Sequence, residues 1–243
     1  MKIYSFRLLF LASSATTSAY SSSSQRIIDR AAQDGINIPS LPFAAAALQS
    51  IESIKKTPLN QTLDFRNATK IDTHVHAAPK WYTTLVPEGG AQPMEDWSIP
   101  IHLSFMARNG IAHAVLSIST PASTAFVGNE TLSMGLARLL NEWLAELSRV
   151  FPERFSFYSV TPLPYVEAAL KEVQYAHRNL GAKGAGLLTN HEGIYMGDPA
   201  MQPFFAGLDE MEFSSKVVFI HPTFAECNPS MCDTSIMTPR EQL

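Results

Sequence analysis

A chain of 243 residues with 46% hydrophobic content is long enough to bury a sizeable core. Its 18 basic and 22 acidic residues are scattered and give a formal charge of -4, which excludes the basic footprint of a nucleic-acid binder or an anionic-membrane binder. A small uncharged or anionic ligand held by a metal is the partner these bulk properties favour.

The chain opens with Lys2 and Arg7, an apolar run Leu8-Leu9-Phe10-Leu11-Ala12, and small residues ending in Thr17-Ser18-Ala19. That layout predicts a signal peptide over 1–19 and secretion, and it is too short to span a bilayer. The Ser-rich stretch without an acid before Asp29 also fits a transit peptide, so an organellar or cytoplasmic location is the competing reading. Acceptor sequons at Asn60-Gln61-Thr62, Asn67-Ala68-Thr69 and Asn129-Glu130-Thr131 favour secretion, whereas proline blocks Asn228-Pro229-Ser230. Residues 20–69, with Pro39 and Pro42, read as an N-terminal extension wrapped around a domain at 70–243.

From residue 70 a rhythm sets in. Strands are predicted at 70–72, running on to end in His74 and His76, and at 112–118, 155–160, 183–188 and 217–220, with helices at 101–109, 131–150, 165–180 and 200–212. Strands rich in Val, Ile, Leu and Phe that alternate with helical periods imply repeated β/α units and a parallel sheet. Gly110, Pro152 and Gly181 stand where helices must stop. Leu132, Leu136, Leu139, Leu140, Trp143 and Leu147 recur at spacings of three and four, which predicts one apolar face that covers the sheet.

The first strand ends in His74-Val75-His76, and the last in Ile220-His221. Side chains alternate along a strand, so His74 and His76 point the same way. In a parallel barrel all strand C-termini open on one face, where His221 would join them. Three imidazoles suit zinc and similar ions, with one position left for water or substrate. The plainer reading of each is a hydrogen-bonded strand-end histidine. His191, past the fourth strand, and Trp81, past the first, are candidate substrate-binding residues, with loop and packing roles as the alternatives. His102 and His177 read as surface or capping residues, and His113 as structural. Cys227 and Cys232 form a local disulfide or stay free thiols, and Glu226, Cys227 and Asn228 lie near the mouth without an assigned role.

Five segments in this order resemble the amidohydrolase superfamily, in its decarboxylase branch. They are Ile71-Asp72-Thr73-His74-Val75-His76-Ala77-Ala78-Pro79, the run from Gly110 to Ser119, Pro152-Glu153-Arg154-Phe155, Gly197-Asp198-Pro199, and Val218-Phe219-Ile220-His221-Pro222. The resemblance implies an α/β fold of the TIM-like (β/α)8 barrel type, with a divalent metal, zinc first and manganese second, on His74, His76 and His221. It also implies decarboxylation of a small aromatic or unsaturated carboxylic acid such as 6-methylsalicylate, and a homodimer. The family's late aspartate ligand and second histidine have no counterpart here, and the sequence names no catalytic acid. The stretch after Ile71 is shorter than the roughly 250 residues of a whole barrel. A partial barrel of about five β/α units with an unpaired edge is therefore expected. A hydrolase of a lactone, ester or amide and an inactive truncated fragment are the competing functions.

Overall fold

The computed structural model describes residues 20–58, 63–86, 97–212 and 217–223, and the backbone of a small ladder pairing Glu88–Gly89 with Gln92–Pro93. The leader, the sequon at Asn60, and residues 226–232 with both cysteines lie outside the described residues.

Five strands, β1 (Lys70–His76), β2 (Ile111–Ser117), β3 (Phe155–Val160), β4 (Gly184–Leu188) and β5 (Val218–His221), pair in parallel in that order. Four inter-strand steps of about 4.8 Å would hold β1 and β5 about 19 Å apart in a flat sheet, further than two imidazole side chains bridge. His76 and His221 nevertheless approach to 2.8 Å. The sheet is rolled into part of a barrel wall.

Alternation sorts the side chains. Ala114, Leu116, Phe155, Phe157 and Leu187 are buried on the outer face, while Tyr158 and Phe219 stack on the inner face. Also on the inner side, His113 Nε2 lies 2.9 Å from Ser156 Oγ and ties β2 to β3, the structural role expected of it. On β4 the inner positions are Gly184 and Gly186, and the close approach of neighbouring strands explains why. A Cβ at Gly186 would sit 2.9 Å from the Ser159 carbonyl oxygen, and one at Gly184 would sit 2.4 Å from that of Val217. Among the described residues β1 and β5 are the sheet's edges, and the apolar side chains of Ile71, Val218 and Ile220 are exposed there.

The helices α1 (Ser22–Gln33), α2 (Ala44–Ser53), α3 (Lys80–Leu85), α4 (Ile99–Asn109), α5 (Glu130–Val150), α6 (Val166–Tyr175) and α7 (Gln202–Glu210) have local causes. Ser98 caps α4, with Pro100 in its first turn, and Gly110 ends it at φ 68°. Asn129 caps α5 by accepting from the Leu132 N–H at 3.0 Å. The helix expected over 165–180 widens after Tyr175 into a π turn at Ala176–Leu180, closed by Gly181 at φ 80°. The segment expected at 200–212 begins with a tight turn, Pro199–Met201, before α7. No described helix is long and apolar enough to cross a membrane.

One sequence expectation is corrected at α5. Its burial extends beyond an apolar face, because Arg138, Asn141, Glu142 and Glu146 are buried as well. The cause is the N-terminal segment. Ile27, Ile28, Leu48 and Ile51 of α1 and α2 share one core with Leu136, Leu140 and Leu144, so α5 is enclosed from both sides. His102 also departs from its expected surface or capping role. It is buried on α4, accepts from Trp97 Nε1 at 2.8 Å and meets the Phe155 ring edge-on. Burial lowers its pKa, opposed by Asp72.

Two of the buried polar side chains of α5 tie it to its neighbours. Arg138 donates to Glu172 at 2.9 Å and to Asp34 at 2.6 Å, and lies 3.6 Å over the Tyr175 ring. Asn141 holds the end of β3, donating to the Val160 carbonyl at 2.9 Å and accepting from its N–H at 2.7 Å. Replacing Arg138 with alanine strands the Glu172 carboxylate in the interior. A destabilisation of about 3–5 kcal/mol is expected, measured by urea unfolding of both proteins. A loss below about 1 kcal/mol would mean that the pair is not holding α5 to α6.

Candidate metal centre

β1 does not run evenly to its end. Its register against β2 shifts between Asp72 and Val75, where Asp72 Oδ1 accepts the His74 N–H at 3.1 Å. The strand recovers to carry His74 and His76 to the C-terminal rim. β5 delivers His221 to the same rim.

The three rings converge. Their centroids lie 5.3 Å (His74–His76), 5.1 Å (His74–His221) and 4.7 Å (His76–His221) apart, and one ligand nitrogen from each falls within 4.8 Å of the others. His221 Nδ1 is 2.6 Å from the Pro222 carbonyl, which fixes the ring proton on Nδ1 and leaves the Nε2 lone pair facing His76. Burial pushes the His76 pKa down to about 4, aided by His221 and His74. The pKa of His221 is lowered too, by burial and His74, against the Pro222 carbonyl. Neutral imidazoles converging on one point are what a divalent cation requires, so the donor set fits such an ion.

The other candidates sit differently. His191 is almost fully buried in a hairpin pairing Asn190–His191 with Ile194–Tyr195, and with His221 it lines a small cavity beside the triad. Trp81 is buried on α3, its ring 6.0 Å from Phe43 and stacked at 16°. It packs toward the N-terminal segment and is not part of the cavity lining. His177 Nδ1 meets the Ala182 carbonyl at 3.1 Å, joining the end of the π turn to the chain that leads into β4.

Sequence reasoning passed over two residues of the inner wall. Phe219 stands two before His221 and therefore on the same face. It meets the His74 ring edge-on at 5.0 Å and stacks on Tyr158 at 4.8 Å. The alternation that places Phe219 was legible. Tyr158 was not, because Phe155-Ser156-Phe157-Tyr158 carries no clear polar alternation.

No family model matches the chain. The decarboxylase yanB of Aspergillus niger is 32% identical over 162 residues, covering 63% of this chain and 43% of that protein. The 6-methylsalicylic acid decarboxylase of Penicillium expansum is 29% identical over 161 residues, covering 63% and 48%. A crystal structure described as an amidohydrolase II superposes with a TM-score of 0.59 at 28% identity, over 69% of this chain and 55% of that one. The chain resembles decarboxylases of the amidohydrolase superfamily. The fold likeness extends to 5-carboxyvanillate decarboxylase from Novosphingobium aromaticivorans, solved with manganese and 4-hydroxy-3-methoxy-5-nitrobenzoic acid, at TM-score 0.55 and 19% identity over 70% and 55%. The chain spans about half the length of the curated relatives it matches.

His191 carries a pH signature. Its Nε2 accepts the Leu188 N–H at 3.0 Å, so the neutral ring holds its proton on Nδ1. Burial pushes its pKa down to about 4, opposed by the Leu163 carbonyl. A depressed histidine is neutral when folded while the unfolded ring still binds a proton. Its stabilising effect is present above the unfolded value of 6.5 and is lost as pH falls from there toward 4. Between pH 7 and pH 5 the protein should therefore lose about 2 kcal/mol more stability than His191→Gln. Urea unfolding at the two pH values checks this, and equal losses would refute it.

Proposed function

We propose that His74, His76 and His221 hold one divalent ion and that this chain carries the metal-binding portion of a non-oxidative decarboxylase. The substrate class is a small aromatic carboxylic acid, 6-methylsalicylate being the first to test. The observation that carries the reading is the convergence of three imidazole nitrogens within 4.8 Å at the strand C-termini. The similarity to fungal decarboxylases supports the reaction class. Zinc is the proposed ion, because an all-imidazole donor set suits it better than it suits manganese.

A bound divalent ion supplies Lewis-acid polarisation and orientation of a carboxylate. The chain's own groups prepare that role. Pro222 holds the His221 tautomer, and burial keeps His76 unprotonated near neutral pH. Phe219 supports the His74 ring from the side. His191 lines the cavity as a proposed substrate contact. Trp81 reaches the substrate in this reading only if Phe43, which stacks on it, moves.

The proposal extends to secretion, supported by the leader pattern and by sequons at Asn67 and Asn129, both exposed. A homodimer is proposed on the resemblance alone.

Elemental analysis of the purified chain should find about one equivalent of metal, lost in His74→Ala and His221→Ala. Incubation of the metal-loaded chain with 6-methylsalicylate should release carbon dioxide. Metal content unchanged in both variants would remove the centre. Ester or amide hydrolysis without carbon dioxide would move the chain to the hydrolases.

A further inference from the structure

The inner wall beneath the triad has an aromatic floor that the metal does not need. Tyr158 of β3 and Phe219 of β5 lie on either side of β4, yet their rings stack at 4.8 Å and 6°. They meet because Gly184 and Gly186 carry no side chain between them, and each glycine is too close to a neighbouring carbonyl to gain one. The stack runs on to the metal site through the Phe219 edge contact with His74 at 5.0 Å. Both Tyr158 and Phe219 line the cavity that His221 walls.

Tyr158 brings a second property. It is 8% exposed as a whole residue, and its hydroxyl is not among the sealed polar atoms that lack a partner, so it is open to the cavity that the ring lines. Burial raises its pKa, so the hydroxyl stays protonated and able to donate at neutral pH. An aromatic wall with one available donor beside a cation site matches an aromatic ring that bears a hydroxyl and a carboxylate.

We propose that the Tyr158–Phe219 pair is the ring-binding floor of this site, with the Tyr158 hydroxyl hydrogen-bonding a ring hydroxyl of the acid. The proposal rests on the decarboxylase reading of the triad and adds a specificity-determining residue to it. Tyr158 then favours hydroxylated aromatic acids over unsubstituted ones, and the stack favours aromatic over saturated rings.

The test is a calorimetric titration of the metal-loaded full chain and of Tyr158→Phe with cyclohexanecarboxylate, benzoate and the three monohydroxybenzoates. Benzoate should bind about fivefold more tightly than cyclohexanecarboxylate in both proteins, since phenylalanine keeps the stack. At least one hydroxybenzoate should gain about a further fivefold in the parent chain, and Tyr158→Phe should abolish that gain. Equal metal content in the two proteins shows that the triad is intact in both. A hydroxyl gain that survives Tyr158→Phe, or the absence of any ring preference, overturns the proposal. Phenol, which has the ring and hydroxyl without the carboxylate, separates the two readings. Phenol binding weakened by Tyr158→Phe, with no acid bound, sinks the decarboxylase reading and keeps the floor. No binding of phenol or acids sinks the floor.

Discussion

The molecule depends on the rolling of its sheet. His76 and His221 are 145 residues apart in sequence and belong to opposite edges of five parallel strands, yet their Nε2 atoms meet at 2.8 Å. A flat sheet with the same sequence would keep the strands and lose the centre. Two features favour the roll. The outer face is filled with Ala114, Leu116, Phe155, Phe157 and Leu187 beneath helices, while β4 presents only Gly184 and Gly186 among its inner alternating positions before Leu188. Bulk outside and its absence inside let neighbouring strands close over β4.

The helical layer holds that curvature from behind. α5 lies between the sheet and the N-terminal helices, and its polar side chains work inside the protein. Asn141 satisfies both backbone groups of Val160 at the end of β3, and Arg138 ties α5 to Glu172 of α6 and to Asp34. A buried guanidinium of this kind adds little net stability over an apolar replacement of equal shape, but removing one partner leaves a charge that water cannot reach. Such a network fixes how α5 sits more than how strongly it is held. The position of α5 in turn sets the plane of β3, from which Tyr158 projects.

Much of this was legible in the sequence, and the rest was hidden for identifiable reasons. The β/α rhythm, the stops at Gly110 and Gly181 and the shared face of His74 and His76 follow from local periodicity and backbone chemistry, which a sequence displays directly. The approach of His221 followed from the rule that parallel strands open on one rim, a topological inference. His102 was misjudged in kind and Arg138 was passed over, because a charged or polar residue on a helix reads as solvent-facing until its cover is known. Arg138 is covered by the segment at 20–58, whose packing against α5 no short-range pattern announces, and His102 by Trp97 and Phe155. Tyr158 was hidden because its strand is buried on both faces and its two serines, Ser156 and Ser159, fall on opposite faces, so alternation marks neither face as polar.

The centre is also held to different degrees around its ring of ligands. His221 is buried and has its tautomer set by Pro222, and His76 is placed by contact with His221. His74 and His76 are both exposed, but His74 has no ligand ring at hydrogen-bond distance and is held by the Phe219 edge and by the Asp72 bond at its backbone. Ordering a loose ligand when a cation arrives costs side-chain entropy, whereas a ring already fixed by packing and hydrogen bonds costs little. His76 and His221 therefore form the preorganised pair, and His74 is the ligand whose placement depends on the aromatic wall. Because Phe219 touches His74 on one side and Tyr158 on the other, the support of the third imidazole and the shape of the pocket floor are one structural element, and a change at either end is felt at the metal centre.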